Sequence, residues 1–368
     1  MENCKKTSLF STHEQAGGKV IDFAGWALPV QYEGIIPEHE AVRNAAGMFD
    51  VSHMGEVDVK GPEAAAFVQN LVTNDVSVLQ DNQVLYAMMC YPDGGIVDDL
   101  LVYKFNNEHF YLVINASNVD KDYQWMLDNK NNYQVELNNI SSDISEVALQ
   151  GPKAQEILQK LTDTNLDDIK FFFCQRDVLI AGIKCLVSRT GYTGEDGFEI
   201  YTSNDNIEAV WNKIMEAGKD LGLKACGLGC RDTLRFEATL PLYGNEISKD
   251  ISPLEAGLGM FVKLAKESFI GKDALVKQKE EGLKRKTVGF ELLDKGIPRH
   301  GYEVMAEGKV IGVVTTGYMA PTVKKSIGLA LIDAAYAELD TPIEIVIRNK
   351  PLKAKVVSKR FLNKNYKK

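Results

Sequence analysis

Two adjacent carboxylates, Asp98 and Asp99, lie within the mostly apolar run from Ile96 to Phe105. The run has the length and composition of a β-strand, in which alternate side chains share a face. Asp98 is therefore expected on one face, and Asp99 on the other face together with Val97, Leu101, Tyr103 and Phe105. A buried carboxylate without a partner is costly, so each needs a hydrogen-bond donor, a ligand or water. The pattern leaves open which carboxylate does chemistry, and whether either only caps a turn or forms a structural pair.

The glycine-rich segment from Ser188 to Glu199 is a second candidate site. Its three glycines predict a tight loop that brings Tyr192, Glu195, Asp196 and Glu199 close together. Carboxylates in such a loop accept hydrogen bonds from the ring N–H and amino groups that a pterin or a guanine presents. The segment lacks the GxxxxGK[ST] pattern and its acids repel phosphate, which argues against a phosphate-binding loop. A plain glycine-rich hairpin is the alternative interpretation.

Arg231 and His53 are further candidates. Arg231 is followed directly by Asp232, which fits an internal ion pair, a surface pair, or a guanidinium held ready for a carboxylate ligand. His53 has the titration range of a general base. No Ser–His–Asp or Cys–His ordering accompanies it, and this favours a structural histidine.

The composition indicates a globular protein with two or three domains. The chain has 368 residues, of which 45% are hydrophobic and 25% charged. It contains no apolar run of membrane-spanning length, so we expect no membrane association. Its first residues resemble neither a signal peptide nor a transit peptide, so we expect a cytoplasmic protein. Cysteines and histidines are scattered, and Cys226 and Cys230 have no matching pair at ligand spacing, which disfavours a metal site.

The charge is unevenly distributed along the chain. The net charge of −9 disfavours a general nucleic-acid-binding protein. From Lys284 onwards, however, 17 Lys and Arg residues stand against 8 Asp and Glu residues. This basic part either serves solubility or meets an anionic ligand tail or an acidic partner.

Two stretches of the chain, Val59–Leu71 and Leu149–Leu161, echo each other at a spacing of 90 residues. Each reads as a strand, a Gly–Pro turn whose proline opens a helix, and an amphipathic helix. The spacing is too long for a solenoid repeat, so we predict two related α+β halves. Between the echoes, a β-meander is predicted from Val84 to Asn115, and a helix from Asp120 to Asn129.

The last part of the sequence predicts a separate unit. The highly charged segment Lys279–Lys286 is predicted to be a linker. Short apolar runs separated by turn signals follow it, and they predict a small β-barrel or sandwich.

Motifs along nearly the whole chain match those of one known family. The matching segments are Asp22–Trp26, Gly47–Met54, Gly94–Leu100, Gln150–Pro152, Ser188–Glu199, Gly227–Asp232, Gly317–Pro321 and Lys325–Ala330. Each motif alone is weakly specific, but their order and spacing are specific together. The chain resembles the aminomethyltransferase family, the T protein of the glycine cleavage system.

The resemblance implies an α+β fold with three domains around a central folate site. Two interleaved, duplicated α+β domains would occupy residues 1–278, divided roughly into 1–55 with 140–245 and 56–139 with 246–278. A C-terminal β-barrel domain would occupy residues 284–362. The implied reaction transfers a one-carbon unit from the S-aminomethyl-dihydrolipoyl arm of H protein to tetrahydrofolate. Its products are ammonia, 5,10-methylenetetrahydrofolate and dihydrolipoyl H protein. P and L proteins would act in the same pathway, and no metal, PLP or flavin is expected.

The resemblance also selects candidate site residues. The central carboxylate of the family falls on Asp99, which would orient the folate amines near N10 and stabilise developing positive charge. The chain departs from the family pattern at its C-terminus, where Tyr366 or Lys367 is expected to lie near the folate glutamate. The other implied folate contacts are Tyr86, Tyr103, Asn115, Tyr192, Glu199 and Arg231.

Two other protein classes share parts of this pattern. Dimethylglycine and sarcosine oxidases carry a similar folate module, but this chain has no N-terminal GxGxxG fingerprint and is too short to add a flavin domain. The alternative is a folate-binding regulatory or assembly protein without transferase activity. Its loop would contain a cysteine, which Arg189–Tyr192 lacks.

Overall fold

The computed structural model describes residues 3–366, which form a mixed α+β fold. The strands are β1 (Lys5–Lys6), β2 (Lys19–Phe23), β3 (Trp26–Gln31), β4 (Ala46–Asp50), β5 (Gly55–Lys60), β6 (Gln83–Cys90), β7 (Ile96–Asn106), β8 (His109–Ile114), β9 (Glu136–Asn139), β10 (Ile144–Gln150), β11 (Cys174–Ile180), β12 (Ile183–Ser188), β13 (Gly197–Ser203), β14 (Leu223–Ala225), β15 (Arg285–Leu292), β16 (Glu303–Ala306), β17 (Lys309–Ala320), β18 (Lys325–Asp333), β19 (Pro342–Ile347) and β20 (Lys350–Val357). The α-helices are α1 (Phe10–Gln15), α2 (Ile35–Asn44), α3 (Ala64–Leu71), α4 (Val119–Asp128), α5 (Ala154–Gln159), α6 (Asn204–Gly218), α7 (Leu228–Glu237) and α8 (Lys272–Glu281). Among these described residues, no helix is both long and apolar enough to cross a bilayer.

The two echoing stretches form the same unit, in which a strand leads through a turn into a helix. Strand β5 is followed by α3, and β10 by α5. In the turns, Gly61 and Gly151 adopt φ of +139° and +129°, a conformation that residues with a Cβ rarely adopt. The helices begin two residues after Pro62 and Pro152, at Ala64 and Ala154. The prediction that proline opens each helix was therefore wrong, because the chain still turns at that point.

Each unit sits inside its own sheet. Strand β5 belongs to a five-stranded sheet of order β6-β7-β8-β5-β9, and β10 to a six-stranded sheet of order β11-β12-β13-β10-β4-β14. Helix α3 covers the first sheet through its buried face, and α5 covers the second in the same way. The faces are those that sequence periodicity predicts, namely Phe67, Val68 and Leu71 in α3, and Ile157 and Leu158 in α5, with Leu161 beyond its end.

The uncovered faces of the two sheets meet in a layer rich in aromatic side chains. Tyr103 of β7 and Tyr111 of β8 pack against Tyr201 of β13, with ring centroids about 6 Å apart. The hydroxyl oxygens of Tyr103 and Tyr201 are 2.8 Å apart. The site described below lies along this contact between the sheets.

A β-bulge at the start of β7 changes which residues share a face. Met89 pairs with Asp98 and Cys90 with Ile96, so Val97 is an extra residue in the ladder. Val97 packs in the core beneath α3, whereas Leu101, Tyr103 and Phe105 face the other sheet. The expectation that Val97 shares a face with Asp99 was therefore wrong. The remainder of that face agrees with the predicted alternation.

The C-terminal part is a closed six-stranded barrel of order β15-β18-β17-β16-β19-β20. This confirms the barrel and rules out the sandwich that the sequence left open. The predicted linker Lys279–Lys286 was wrong, because α8 continues to Glu281 and β15 already begins at Arg285. The charges of this segment are those of a solvated helix end, and the Arg285 guanidinium forms an ion pair with Glu255 at 2.9 Å.

A buried arginine links helix α7 to the barrel. The Arg235 guanidinium lies 2.6 Å from Glu246 and 2.7 Å from Asp232, and it also donates to the Thr316 hydroxyl of the barrel at 3.2 Å. Arg235 and Glu246 are both almost fully buried. Removing one partner of such a pair leaves a buried charge uncompensated.

We predict that Arg235→Met lowers the free energy of unfolding by about 3–5 kcal/mol, because Glu246 loses its cationic partner. The matched control is Arg285→Met, whose ion pair with Glu255 has an arginine side chain that is 41% exposed. This control should cost no more than about 1 kcal/mol. Urea denaturation measures both variants, and equal losses would contradict the role assigned to Arg235.

Candidate functional site

The side-chain amide of Asn115, directly after β8, lies between the two carboxylates of β7. Its Nδ2 is 2.7 Å from Asp99 Oδ1 and 2.9 Å from Asp98 Oδ1. Asp98 accepts two further hydrogen bonds, from the Asn115 backbone N–H at 3.1 Å and from Asn118 Nδ2 at 2.9 Å. Asp98 is fully buried, so its donors all come from the protein itself. It therefore has the surroundings of a structural carboxylate.

A third carboxyl group, that of Asp122 in α4, lies behind Asp98. It is fully buried, and one of its oxygens is 2.6 Å from the Lys121 ammonium. Burial and the neighbouring Asp98 raise the pKa of Asp122 to about 10. Asp122 is therefore a neutral acid at pH 7 and adds no negative charge beside Asp98.

Asp99 faces the site and is only partly buried. The Tyr86 hydroxyl donates to its Oδ2 at 2.9 Å, and Asn115 holds its Oδ1. Burial, followed by the charge of Asp98, raises the pKa of Asp99 to about 7. This carboxyl group therefore exchanges a proton near neutral pH, as a catalytic acid or base requires.

Tyr86 is itself positioned by a distant segment. Its ring meets the ring of Phe261 edge-on, with centroids 4.7 Å apart. Sequence reasoning missed Phe261, because this contact joins residues far apart in the chain. It also missed Asn118, for which the Asn115-x-x-Asn118 spacing at the start of a helix was an available signal.

The Arg231 guanidinium lies over the ring of Tyr192, 4.8 Å from its centroid. Asp232 does not pair with it, because this carboxylate is bound by Arg235 at 2.7 Å and by the Tyr318 hydroxyl. Within residues 3–366, the Arg231 guanidinium makes no hydrogen bond or ion pair. The internal and surface ion-pair interpretations of Arg231 are therefore wrong, and its donors remain available to a ligand.

The glycine-rich loop presents one of its predicted acids to this arginine. Glu195 forms an ion pair with Arg43 at 3.0 Å, and Asp196 with Arg189 at 2.5 Å. Glu199 is buried, and the Thr190 hydroxyl donates to its Oε2. Burial raises the pKa of Glu199, while the positive charge of Arg231 opposes that rise.

Close packing fixes the path of this loop. A Cβ at Gly191 would lie 1.9 Å from Gln150 Oε1, so no larger residue fits there without a shift. Gln150 also donates to the Thr190 carbonyl at 3.0 Å. Strands β12 and β13 form an antiparallel hairpin around this loop, and Ser188 pairs with Glu199 at its base.

Two predicted ligand contacts, Tyr103 and Tyr366, have protein partners in the structure. Tyr103 is fully buried, and its hydroxyl bonds Ser188 at 3.0 Å and Tyr201 at 2.8 Å. Tyr366 stacks on Phe171 with centroids 4.4 Å apart, where burial raises its pKa to about 12. Their contacts with a ligand stay predictions. Lys367 lies outside the described residues.

His53 has the surroundings of a structural histidine, as the sequence favoured. It is buried, and its ring meets that of Phe23 edge-on at 5.8 Å. Burial, followed by the charge of Arg231, lowers the pKa of His53 to about 4. The ring is therefore neutral at pH 7.

Glu38, Cys226 and Cys230 bring three potential metal-ligand atoms within 4.8 Å of one another. The Glu38 carboxylate, however, accepts hydrogen bonds from the backbone N–H groups of Tyr32, Gly34 and Gly227. Burial raises the pKa of the Cys230 thiol well above its usual range, which disfavours the thiolate that a metal needs. This cluster closes the loop before α7 and does not fit a metal.

The chain matches the family described as GCVT N-terminal domain over residues 9–266. It also matches the glycine cleavage T-protein C-terminal barrel domain over residues 285–363. The chain belongs to the glycine cleavage T-protein family. The matched barrel domain corresponds to the closed barrel, and the three-domain arrangement implied by the sequence is consistent with this family.

Several relatives and one solved structure match this chain over nearly its full length. It is 68% identical to the aminomethyltransferases of Alkaliphilus oremlandii and Thermoanaerobacter pseudethanolicus, over 368 residues and 100% of each chain. Identity to an aminomethyltransferase of Clostridium botulinum is 59% over the same length. The crystal structure of the glycine cleavage system aminomethyltransferase T from Bartonella henselae is similar, with 31% identity and a TM-score of 0.92 over 99% of both chains.

We predict that Asn115→Ala moves the protonation midpoint of Asp99 to a pH above about 7, because the carboxylate loses a donor that lowers its pKa. The measurement is a pH titration by NMR of protein labelled with ¹³C in the aspartate carboxyl groups. Asn118→Ala is the matched control, since the Asn118 side chain donates to Asp98 and, within residues 3–366, not to Asp99. An unchanged midpoint in Asn115→Ala would show that the amide does not set the charge of Asp99.

Proposed function

We propose that this chain transfers the aminomethyl carbon in a glycine cleavage system, with tetrahydrofolate as acceptor. The donor is the S-aminomethyl-dihydrolipoyl arm of H protein, and the products are ammonia, 5,10-methylenetetrahydrofolate and dihydrolipoyl H protein. The observation that carries the proposal is Asp99, held by Tyr86 and Asn115 with a pKa of about 7. The full-length aminomethyltransferase relatives support the same activity.

The groups around Asp99 fit the chemistry of a reduced folate. Glu199 supplies carboxylate oxygens for the N–H and amino groups of a pterin. Arg231 supplies N–H donors, which have no partner among residues 3–366, for an oxygen of the ligand. Tyr86 and Tyr192 supply aromatic surface. When bound, tetrahydrofolate supplies the two amines that receive the one-carbon unit.

The protein groups act mainly by orientation and by control of charge. Tyr86 and Asn115 both donate to Asp99, so its ionised form is held in one orientation. Burial and Asp98 place its pKa near neutrality, so the same group accepts a proton and releases it again. Asp98 is engaged by Asn115 and Asn118 and supplies charge without facing the ligand.

H protein is the expected macromolecular partner, with P and L proteins in the same pathway. The basic C-terminal part matches the charge of an acidic partner or of a polyglutamyl tail. The expectations of no metal, PLP, flavin, nucleic acid or membrane, and of a cytoplasmic location, stay predictions. The alternative of a folate-binding regulatory protein is tested by the turnover assay below.

We predict that Asp99→Ala nearly abolishes turnover while the protein stays folded, and that Asp98→Ala is milder in activity. The assay incubates each variant with aminomethylated H protein and tetrahydrofolate, and measures ammonia and methylenetetrahydrofolate. In the unmodified protein, kcat/KM should fall as pH drops below about 7, because Asp99 becomes protonated. The reverse ranking of the two variants would overturn the assignment, and a wild-type chain without turnover would favour the alternative function.

We predict that Arg231→Met weakens tetrahydrofolate binding by about tenfold to a hundredfold, the loss expected for a hydrogen bond to a charged group. Thermal stability should stay nearly unchanged, since Arg231 makes no ion pair within residues 3–366. The matched control is Arg176→Met, because Arg176 also lies over an aromatic ring, that of Phe105, at 4.6 Å. Calorimetric titration with tetrahydrofolate distinguishes the two, and equal weakening would contradict the role of Arg231.

A further inference from the structure

Two buried glutamates, Glu146 of β10 and Glu199 of β13, are joined by a chain of hydroxyl groups between the sheets. From the Glu199 end, Thr190 donates to the Glu199 carboxylate, and the Ser188 oxygen lies 2.6 Å from the Thr190 hydroxyl. The next member, Tyr103, bonds Ser188 at 3.0 Å. All four of these residues are buried.

The chain ends at the second glutamate. Tyr103 bonds Tyr201 at 2.8 Å, and Tyr201 stands directly opposite Glu146 in the β10–β13 ladder, so that the two side chains face each other. Four hydroxyls therefore lie in a row between two carboxyl groups that are both more than nine-tenths buried.

The number of hydrogens available fixes the direction of the hydrogen bonds in this hydroxyl chain. A hydroxyl has one hydrogen and donates one hydrogen bond, so every bond in the chain must point the same way. When Glu199 is ionised, Thr190 donates to it, Ser188 to Thr190, and Tyr103 to Ser188. Tyr201 then donates to Tyr103 and has no hydrogen left for Glu146, which must itself donate as a neutral acid. In the reverse order, Glu199 holds the proton and Glu146 is ionised.

The surroundings favour the first order. Glu199 has Arg231 as a cationic neighbour and accepts from Thr190. One oxygen of Glu146 has no partner within residues 3–366, and burial together with Glu199 and Glu56 raises its pKa well above the usual range. Arg231 opposes that rise but acts more weakly than these causes.

Glu56, a third buried glutamate, supports the same order, in which Glu146 is neutral and Glu199 is ionised. It occupies the same place in β5 that Glu146 occupies in β10, one before the Val of each echoed strand. Both of its oxygens lack partners within the described chain, and burial raises its pKa well above the usual range. The titratable groups around Glu146 are thus Glu56, Glu199, Arg231, Tyr103, Tyr111 and Tyr201. Among them, the positive charge of Arg231 acts on both Glu199 and Glu146.

We propose that Glu146 holds the proton of this glutamate pair, and that the hydroxyl chain thereby keeps Glu199 ionised as the acceptor for the N–H groups of the pterin. Glu146 is a positioning residue, because it acts on the ligand only through Tyr201, Tyr103, Ser188 and Thr190. The ligand in this statement rests on the proposed function, whereas the place of the proton does not.

The place of the proton is tested by infrared spectroscopy of the whole protein at neutral pH without ligand. Neutral and ionised carboxyl groups absorb at separate frequencies, so a difference spectrum assigns the state of one residue. We expect Glu146→Gln to remove a neutral carboxyl band and Glu199→Gln to remove a carboxylate band. The proposal would be overturned if Glu146→Gln lost a carboxylate band while Glu199→Gln lost a neutral carboxyl band. It would also be overturned if both variants lost a carboxylate band.

The consequence for the ligand is tested by steady-state kinetics. Glu146→Gln keeps an N–H that donates to Tyr201, so the KM for tetrahydrofolate should stay within about twofold of the wild-type value. Glu146→Leu removes the donor, and its KM should rise about tenfold with kcat unchanged, as for one lost hydrogen bond. Equal KM values for both variants would overturn the positioning role.

Tyr201→Phe interrupts the hydroxyl chain while leaving both carboxyl groups in place, and it serves as a second variant in case the leucine variant misfolds. It should also raise KM about tenfold, because Tyr103 loses the donor that orders it. Wild-type protein without transferase activity would refute the proposed function while leaving the infrared assignment intact. A reversed infrared assignment would refute the proton's place even in a fully active enzyme.

Discussion

The structure depends on holding two neighbouring carboxyl groups of one strand in different electrical surroundings. Strand alternation sends Asp98 into the protein and Asp99 towards the contact between the sheets. Asn115 touches both, while Asn118 and the neutral acid of Asp122 complete the surroundings of Asp98. A buried charge next to a partly buried acid raises the pKa of that acid, so the meander β6 to β8 and helix α4 together determine the reactivity of Asp99.

The sequence predicted much of the fold because its signals are local. The duplicated strand–helix units, the meander and the barrel strands each have turn residues and apolar periodicity that do not depend on distant contacts. The bulge at Val97 was missed because it is a property of pairing between strands, which alternation within one strand does not contain. The linker prediction failed because a run of charges marks a solvated surface equally well on a helix end and on a flexible segment.

The site was less accessible to sequence reasoning. Periodicity placed Asp98 and Asp99 on opposite faces, but it was the family resemblance that selected Asp99. The adjacency of Arg231 and Asp232 suggested a pair, whereas helical geometry points consecutive side chains in different directions and brings Asp232 to Arg235 instead. Phe261 and Tyr201 could not have been found from local pattern, because folding brings them to the site from distant segments.

The interleaving of the two sheets has a consequence for the order in which the chain forms its structure. All strands of the five-stranded sheet lie between Gly55 and Asn139, so that sheet is complete in sequence early. Strand β4 comes before it, yet pairs with β10 and with β14, whose last residue is Ala225. On the ribosome, β4 therefore emerges before the five-stranded sheet and waits for its second neighbour until Ala225 has been made, 175 residues after Asp50. Its buried, apolar edge is the segment that a nascent chain must keep from pairing with anything else.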